Sequence, residues 1–294
     1  MHWLQFVMDL DSLDPAVVED ALLQAGATSV TLSDAGDDPV LEPGPGETPL
    51  WTRTAITGLF SGDIEPQGIA ETLCRVLALQ TLPPHRVERL EDREWEREWL
   101  RDFGPMRFGE RLWICPHGLE VEADDAVVVR LDPGLAFGTG THPTTALCLE
   151  WLDGIDLAGR SVLDYGCGSG VLAIAALKLG AVAAVGMDID PQATIATRQN
   201  AADNAVFVSV CGSDAAIEGQ FDVVVANILA GPLVELADSI TSRLASRGML
   251  ALSGVLCEQA DAVIAAYDPW IAFDEPVFRE QDGQTWSRLT GSRR

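Results

Sequence analysis

The clearest fold signal in this chain is Ser161-Val162-Leu163-Asp164-Tyr165-Gly166-Cys167-Gly168-Ser169-Gly170, and Val171 to Leu177 follows it directly. A short apolar strand ends in a GxGxG turn, and a helix of good helix formers begins at once. The three glycines let the backbone approach a ligand closely and turn sharply into the helix N-terminus. Strands and helices alternate from about residue 146 onward, which predicts a parallel, doubly wound α/β sheet.

A second strand, Ala183 to Met187, ends in Asp188-Ile189-Asp190-Pro191. Asp188 follows the glycines by roughly twenty residues, the spacing at which a carboxylate accepts hydrogen bonds from both ribose hydroxyls of a nucleotide. The glycine turn and this acid together indicate a nucleoside cofactor.

The glycine spacing favours one nucleoside over another. Dinucleotide sites usually read GxGxxG and hold a pyrophosphate over the helix N-terminus. Here the spacing is GxGxG, and Asp164 stands two residues before the first glycine. A carboxylate there would repel a pyrophosphate but suits a cationic ligand. S-adenosylmethionine carries a sulfonium and an ammonium group, so a methyltransferase is favoured over a dehydrogenase.

The segment from Asp132 to Thr145, DPGLAFGTGTHPTT, contains three glycines, two prolines and four hydroxyl groups. Such a composition excludes a stable helix or central strand and predicts a loop rich in backbone donors. Its closeness to the glycine turn favours a loop that lies against the ligand over a long polar turn.

Four segments of the chain resemble the ribosomal protein L11 methyltransferases, the PrmA family: Pro133 to Thr145, Asp164 to Gly170, Asp188 to Pro191 and Asn227 to Leu233. Glu94 to Trp99 and Gly109 to Trp113 also fit, so the resemblance spans nearly the whole chain. It implies a seven-stranded class I (Rossmann-like) methyltransferase domain dependent on S-adenosyl-L-methionine. It also implies methyl transfer to lysine side-chain and N-terminal amino groups of a large-subunit ribosomal protein.

Two other functions stay open. One is an S-adenosylmethionine-dependent methyltransferase of another protein or a small molecule, and the other is a cofactor-binding scaffold that has lost catalysis. An intact Asn227 argues against the scaffold.

Asn227 and Leu229 are the predicted catalytic pair, because they follow the strand Phe221 to Ala226 at the carboxyl edge of the sheet. Asn227 offers a neutral carbonyl to orient an amine N–H, although a loop cap is its alternative role. Leu229 and Pro232 offer apolar walls. The predicted cofactor-binding residues are Phe137, Thr141, Thr145, Gly166, Gly168, Asp188 and Asn227.

Three further residues near these motifs are interpreted individually. Asp214 either bonds an adenine amino group or is an exposed turn acid. His142 is interpreted as structural, and Cys167 as a small residue in a crowded turn. We expect no metal site, because the four histidines lie far apart and no cysteine pair has ligand spacing.

The chain predicts two domains and a connector. Residues 1–90 are predicted to have the element order βαββαβ, which is typical of a small α+β ferredoxin-like domain. This domain is interpreted as a substrate-recognition module, and the alternative is a dimerisation or scaffold role. Residues 91–104 predict a helical linker and residues 105–294 the methyltransferase domain. Arg107 to Ile114 and Trp270 to Phe278 are each predicted as one strand.

The amino-acid composition limits which binding partners and which cellular compartment we expect for this protein. A net charge of −26 argues against a broad nucleic-acid surface and is compatible with a basic protein partner, although solubility alone also explains it. Six cysteines without CxxC pairing predict a reduced, cytoplasmic protein. With no long apolar run and no basic leader, we expect neither a membrane span nor a signal peptide. We also expect a monomer.

Overall fold

The computed structural model describes residues 2–36, 53–91, 104–132 and 142–294. The chain forms two compact units, Met1–Glu98 and Trp99–Arg294. The boundary between them falls within the predicted linker at 91–104, of which only the two end residues are described.

The first unit has the element order βαββαβ. Its elements are β1 (His2–Asp9), α1 (Pro15–Gln24), β2 (Ser29–Asp34), β3 (Thr54–Ser61), α2 (Pro66–Val76) and β4 (His85–Glu91). The four strands form an antiparallel sheet in the order β2-β3-β1-β4. Alternate residues of β1, Leu4, Phe6 and Met8, are buried in a core that also includes Leu22 of α1 and Leu73 of α2. This two-residue period is what gives a strand one covered face.

The second unit begins with a small sheet and continues into the alternating α/β region. Its elements are β5 (Met106–Phe108), β6 (Leu112–Cys115), β7 (Val127–Arg130), α3 (Pro143–Gly154), β8 (Ser161–Tyr165), α4 (Val171–Lys178), β9 (Ala183–Met187), α5 (Pro191–Asp203), β10 (Val208–Cys211), β11 (Phe221–Asn227), α6 (Ala230–Glu235), α7 (Ala237–Ser242), β12 (Leu244–Leu256), α8 (Ala260–Tyr267), β13 (Ile271–Phe273), β14 (Val277–Gln281) and β15 (Gln284–Arg293).

The main sheet has the order β10-β9-β8-β11-β12-β15-β13, and β14 also pairs with β15. Strands β8 to β12 are mutually parallel, whereas β15 is antiparallel to β12. Val223 to Ala226 of β11 are fully buried, as expected for a central strand covered on both faces. After β8 the chain builds outward to β9 and β10, then returns to β11 on the other side of β8. Ligands bind at such a switch point, beyond the carboxyl ends of the strands.

Two predicted strands are wrong in detail. Residues 107–114 form a β5–β6 hairpin, because the Asp153 carboxylate accepts the Glu110 and Arg111 amides and holds a turn there. Residues 270–278 are interrupted between β13 and β14, where Pro276 has no N–H to donate to the ladder.

The strand count also differs from the resemblance, which implies seven strands. The main sheet contains eight strand segments, since β13 and β14 pair with successive parts of the same edge of β15.

Candidate active site

A cavity of about 1340 Å³ lies at the carboxyl edge of the parallel strands. Its walls come from the β8–α4 turn, the loops after β9 and β11, the N-terminus of α3, and strand β15. Four aspartates line it, and among the described residues no lysine or arginine does: Asp132, Asp188, Asp190 and Asp214. This excess of carboxylates favours a cationic ligand and disfavours a pyrophosphate.

Asp188 and Gly168 meet at one side of the cavity. The Gly168 amide donates to Asp188 Oδ2 at 2.8 Å, and the Asp190 amide donates to Oδ1 at 3.0 Å. Each carboxylate oxygen can accept a further hydrogen bond. One backbone N–H of the glycine turn is therefore already hydrogen-bonded to Asp188, and this bond holds the half-exposed carboxylate at the cavity wall.

Asp164 lies beneath the glycine turn and does not line the cavity. Its side chain is 1% exposed, and Oδ2 accepts the amide of Ala173 in α4 at 3.1 Å. Burial raises the pKa of Asp164 to about 7, and the nearby charge of Asp188 adds to the shift. Asp164 thus braces the start of α4, and any effect on a ligand acts through space and not by contact.

Thr145 and Asn227 come together at the carboxyl end of β11, two strands across the sheet from β9. Asn227 is the last residue of β11, and its Nδ2 donates to Thr145 Oγ1 at 3.1 Å. Thr145 is 2% exposed in the first turn of α3. The loop predicted to run to Thr145 therefore does not extend past His142, because His142 caps the helix and Pro143 is favourable at its first position. The bond fixes the Asn227 amide so that, within the described chain, its Oδ1 has no hydrogen-bond partner and can accept from a ligand N–H.

Leu229 and Pro232 also line the cavity, as predicted. Leu229 immediately precedes α6 and is 52% exposed. Gly166 lines the floor between these residues and Asp188. Phe137 and Thr141, the other two predicted cofactor contacts, lie outside the described residues.

Asp214 lines the cavity, although its carboxylate is engaged within the protein. Ser239 Oγ donates to Asp214 Oδ2 at 2.6 Å, and a guanidinium nitrogen of Arg243 lies 3.4 Å from Oδ1. Asp214 is therefore not a free turn acid.

His142 and Trp286 form an aromatic corner of the cavity that the sequence interpretation did not include. His142 caps α3, where its Nδ1 accepts the Thr144 amide at 3.4 Å, so the predicted structural role is confirmed. Its ring also contacts Trp286 edge to face, with centroids 4.7 Å apart. Burial lowers the pKa of His142, which keeps the ring neutral near pH 7. No local sequence pattern singles out Trp286, and only the strand order brings it to this cavity.

The described residues offer neither a metal-binding cluster nor a helix that could span a membrane. They contain no group of three or more histidine, cysteine, aspartate or glutamate side chains that could hold a metal ion. None of their helices is long and apolar enough to cross a membrane.

Comparison with known proteins agrees with this geometry. Residues 2–294 match the family model described as ribosomal protein L11 methyltransferase (PrmA). Proteins named ribosomal protein L11 methyltransferase from Klebsiella pneumoniae (strain 342) and Escherichia coli O1:K1 / APEC are 50% and 51% identical over 294 residues, covering 99% of both chains in each pair. The crystal structure of a ribosomal protein L11 methylase from Lactobacillus delbrueckii subsp. bulgaricus is 32% identical, with a TM-score of 0.59, over 65% of this chain and 100% of that one. The chain therefore belongs to the ribosomal protein L11 methyltransferase family, as the sequence motifs predict.

Proposed function

We propose that this chain transfers methyl groups from S-adenosyl-L-methionine to lysine side-chain and N-terminal amino groups of ribosomal protein L11. The observation that carries the proposal is one cavity with two unlike ends. A ribose acceptor, Asp188, lies at one end and a fixed neutral amide, Asn227, at the other, with no cationic side chain of the described chain between them. Family membership supports the same substrate.

The cofactor end fits S-adenosylmethionine better than a dinucleotide. Asp188 can accept the two ribose hydroxyls, and the Gly168 amide, which a pyrophosphate would need, already donates to Asp188. Thr145, Gly166, Gly168 and Asn227 complete the proposed binding set with Phe137 and Thr141. When bound, S-adenosylmethionine supplies an electrophilic methyl group on its sulfonium. The aspartates of the cavity offset that positive charge.

The acceptor end is suited to a neutral amine. Asp188 directly follows β9 and Asn227 ends β11, with β8 between them, so the two strand ends are about 10 Å apart across the sheet. Asn227 Oδ1 orients an amine N–H, while Leu229, Pro232 and Trp286 provide apolar walls. In-line transfer requires this alignment of the nucleophile.

Deprotonation of the lysine is the energetic obstacle. At pH 7 it costs about 4–5 kcal/mol from a reference pKa near 10.4. An apolar wall lowers that cost, whereas an adjacent carboxylate would raise it. The neutral side chains of Asn227 and His142 at this end are consistent with that requirement.

Residues 1–90 are proposed to recognise the protein substrate, and residues 91–104 to link them to the methyltransferase domain. A net charge of −26 suits a basic partner such as a ribosomal protein and does not suit nucleic acid. We further propose that the protein acts as a monomer in the cytoplasm.

The test is a competition among natural substrates. The full set of large-subunit ribosomal proteins is incubated with the enzyme and S-adenosylmethionine labelled in its methyl group, and the proteins are then separated. Label in L11 alone is expected. Label in a different protein supports the alternative methyltransferase, and no label in any protein, although the cofactor binds, supports a small-molecule substrate or an inactive scaffold.

A further inference from the structure

Strand β12 contains an irregularity beside the proposed transfer point. Its register with β15 shifts between Leu252 and Val255, which pair with Leu289 and Ser287. Two residues, Ser253 and Gly254, therefore stand opposite one residue of β15, which is the arrangement of a β-bulge. Bulges next to active sites commonly re-aim a neighbouring side chain.

Gly254 brings the backbone of β12 directly against Ile228, the residue between Asn227 and Leu229. Its φ is +86°, a conformation that L side chains rarely adopt. A Cβ on Gly254 would lie 2.3 Å from the Ile228 carbonyl oxygen and 2.8 Å from its carbonyl carbon. These are backbone atoms, so no side-chain movement relieves the overlap.

Gly166 contacts Ile228 from the other neighbouring strand end. β11 lies between β8 and β12, and a Cβ on Gly166 would lie 2.3 Å from Ile228 Cγ2. Ile228 is thus held between two glycines, one against its side chain and one against its peptide group. The positions of Asn227 and Leu229 follow from this peptide because they flank it.

The bulge is held by the side chains of two serines, one on each strand. Ser253 Oγ donates to the Ser287 carbonyl at 2.8 Å, and Ser287 Oγ donates to the Val255 carbonyl at 3.0 Å. Both serines are fully buried. Hydrogen bonds made in this way replace ladder bonds that the bulge disrupts. Ser287 follows Trp286, so the same pair fixes the aromatic wall.

We propose that the Ser253-Gly254 bulge and Ser287 are positioning residues for methyl transfer. They fix the position of the Ile228 peptide group relative to the sheet. That position in turn fixes the orientation of the Asn227 and Leu229 side chains toward the acceptor amine. This inference rests on the proposed function and deepens it. These residues act through their neighbours and not by contact with the reacting atoms.

The first test measures kcat and KM with L11, and cofactor affinity by calorimetry, for Gly254→Ala and Ser287→Ala. Gly254→Ala is expected to lower kcat about 100-fold, the cost of roughly an ångström of misplacement. Ser287→Ala, which loses one hydrogen bond at the bulge, is expected to lower kcat about tenfold. The cofactor affinity of both should fall much less than kcat does, because Asp188 and Gly168 are held by their own hydrogen bond and β8 and β11 lie between β9 and β12.

Thr290→Ala is the matched control on the same strand. Thr290 is also a buried hydroxyl residue of β15, but its Oγ1 donates to Asp274 at 3.2 Å, away from the bulge. It should lose a similar amount of stability and keep its kcat. If Gly254→Ala does not fold, Ser287→Ala decides alone.

A second test uses Ile228→Ala as a partner mutation. Gly166→Ala alone is expected to lower kcat, measured at saturating cofactor, because its Cβ would overlap Ile228 Cγ2. Adding Ile228→Ala removes that overlap and leaves Ile228 Cβ at 3.8 Å, so the double variant should regain about tenfold in kcat. Combined with Gly254→Ala, Ile228→Ala should return nothing, because that overlap is with backbone atoms.

If the wild-type enzyme methylates L11 and either Gly254→Ala or Ser287→Ala has an unchanged kcat, the positioning role is overturned and the proposed function stands. The same holds if Ser287→Ala and Thr290→Ala lose kcat equally. Failure of the wild-type enzyme to methylate L11 would instead overturn the proposed function, and the inference with it.

Discussion

At the scale of single residues, the site depends on a few side chains that form a hydrogen bond within the protein and can also accept one from a ligand. Asp188 accepts the Gly168 and Asp190 amides and is still available to a ribose. Asn227 donates to Thr145 and still presents its Oδ1. Because each bond within the protein holds the group that faces the ligand, little conformational entropy is lost on binding.

Asp188→Ala is expected to weaken S-adenosylmethionine binding by about 2–3 kcal/mol, because hydrogen bonds to a charged acceptor are the stronger kind. Calorimetric titration measures the change. Asp203→Ala is the control, since Asp203 is an exposed acid at the far end of α5. An unchanged affinity in Asp188→Ala would mean that the ribose is bound elsewhere.

Asp164 gives a prediction for pH. Burial raises its pKa to about 7 in the folded protein, from 3.8 for an exposed carboxyl. Between these values the unfolded chain binds fewer protons than the folded one. The contribution of Asp164 to stability is therefore complete below about pH 4 and is lost as the pH rises to about 7.

Urea unfolding of the cofactor-free protein at about pH 5.5 and about pH 8 tests this prediction. The free energy of unfolding of wild type, relative to Asp164→Asn, should fall by about 2 kcal/mol over that range. Parallel pH dependences in the two proteins would show that the Asp164 carboxyl is already ionised at the lower pH.

At the scale of elements, side chains join segments that are distant in sequence. Asn204, just after α5, accepts the Arg130 amide with Oδ1 and donates to the Arg130 carbonyl with Nδ2, both at 2.7 Å. It thereby takes the place of a neighbouring strand at the end of β7. The chain then runs through Leu131 and Asp132, which line the cavity.

Asn204→Ala should lower the free energy of unfolding by about 2–3 kcal/mol, because Asn204 is 3% exposed and its loss leaves the Arg130 backbone groups without these partners. Denaturant unfolding gives the value. Gln199→Ala on the same helix removes only an exposed side-chain bond and should cost less than about 0.5 kcal/mol. Equal losses in the two variants would contradict the assigned role of Asn204.

Local pattern predicts the strands and the glycine turn, and it fails where distant residues decide. The spacing of Gly168 and Asp188 suffices to predict that they meet, because βαβ geometry fixes it. The turn at Glu110 depends on Asp153, which lies far along the chain. Trp286 reaches the cavity because β15 lies beside β12, and the Asn227–Thr145 bond depends on how α3 packs. Neither the position of Trp286 nor the Asn227–Thr145 bond can be predicted from the residues adjacent in sequence.

At the scale of the whole molecule, the chain comprises two compact units, and the proposed chemistry lies in the second. The first has its own buried core, which includes Phe6, Ile56 and Phe60. An exposed lysine offers too little surface for selective binding by itself, so we expect a separate recognition surface for the protein substrate.

A chain that begins near Glu91 should therefore fold and bind S-adenosylmethionine, because every cofactor contact proposed lies at Phe137 or beyond. It should lose methyl transfer to L11. The control is methyl transfer to free lysine at high concentration. This transfer should be equally poor in the full chain and the shortened chain. Undiminished methylation of L11 by the shortened chain would make the first unit a scaffold.

The most direct measurement is a tandem mass spectrum of purified L11 after incubation with the enzyme and S-adenosylmethionine, with Asn227→Ala enzyme as the comparison. Transfer to an aligned, neutral amine predicts added methyl groups on lysine side chains and the N-terminal amine, and far fewer with Asn227→Ala when both enzymes are saturated with cofactor. L11 that stays unmodified, or carries its methyl groups on other atoms, would contradict the account.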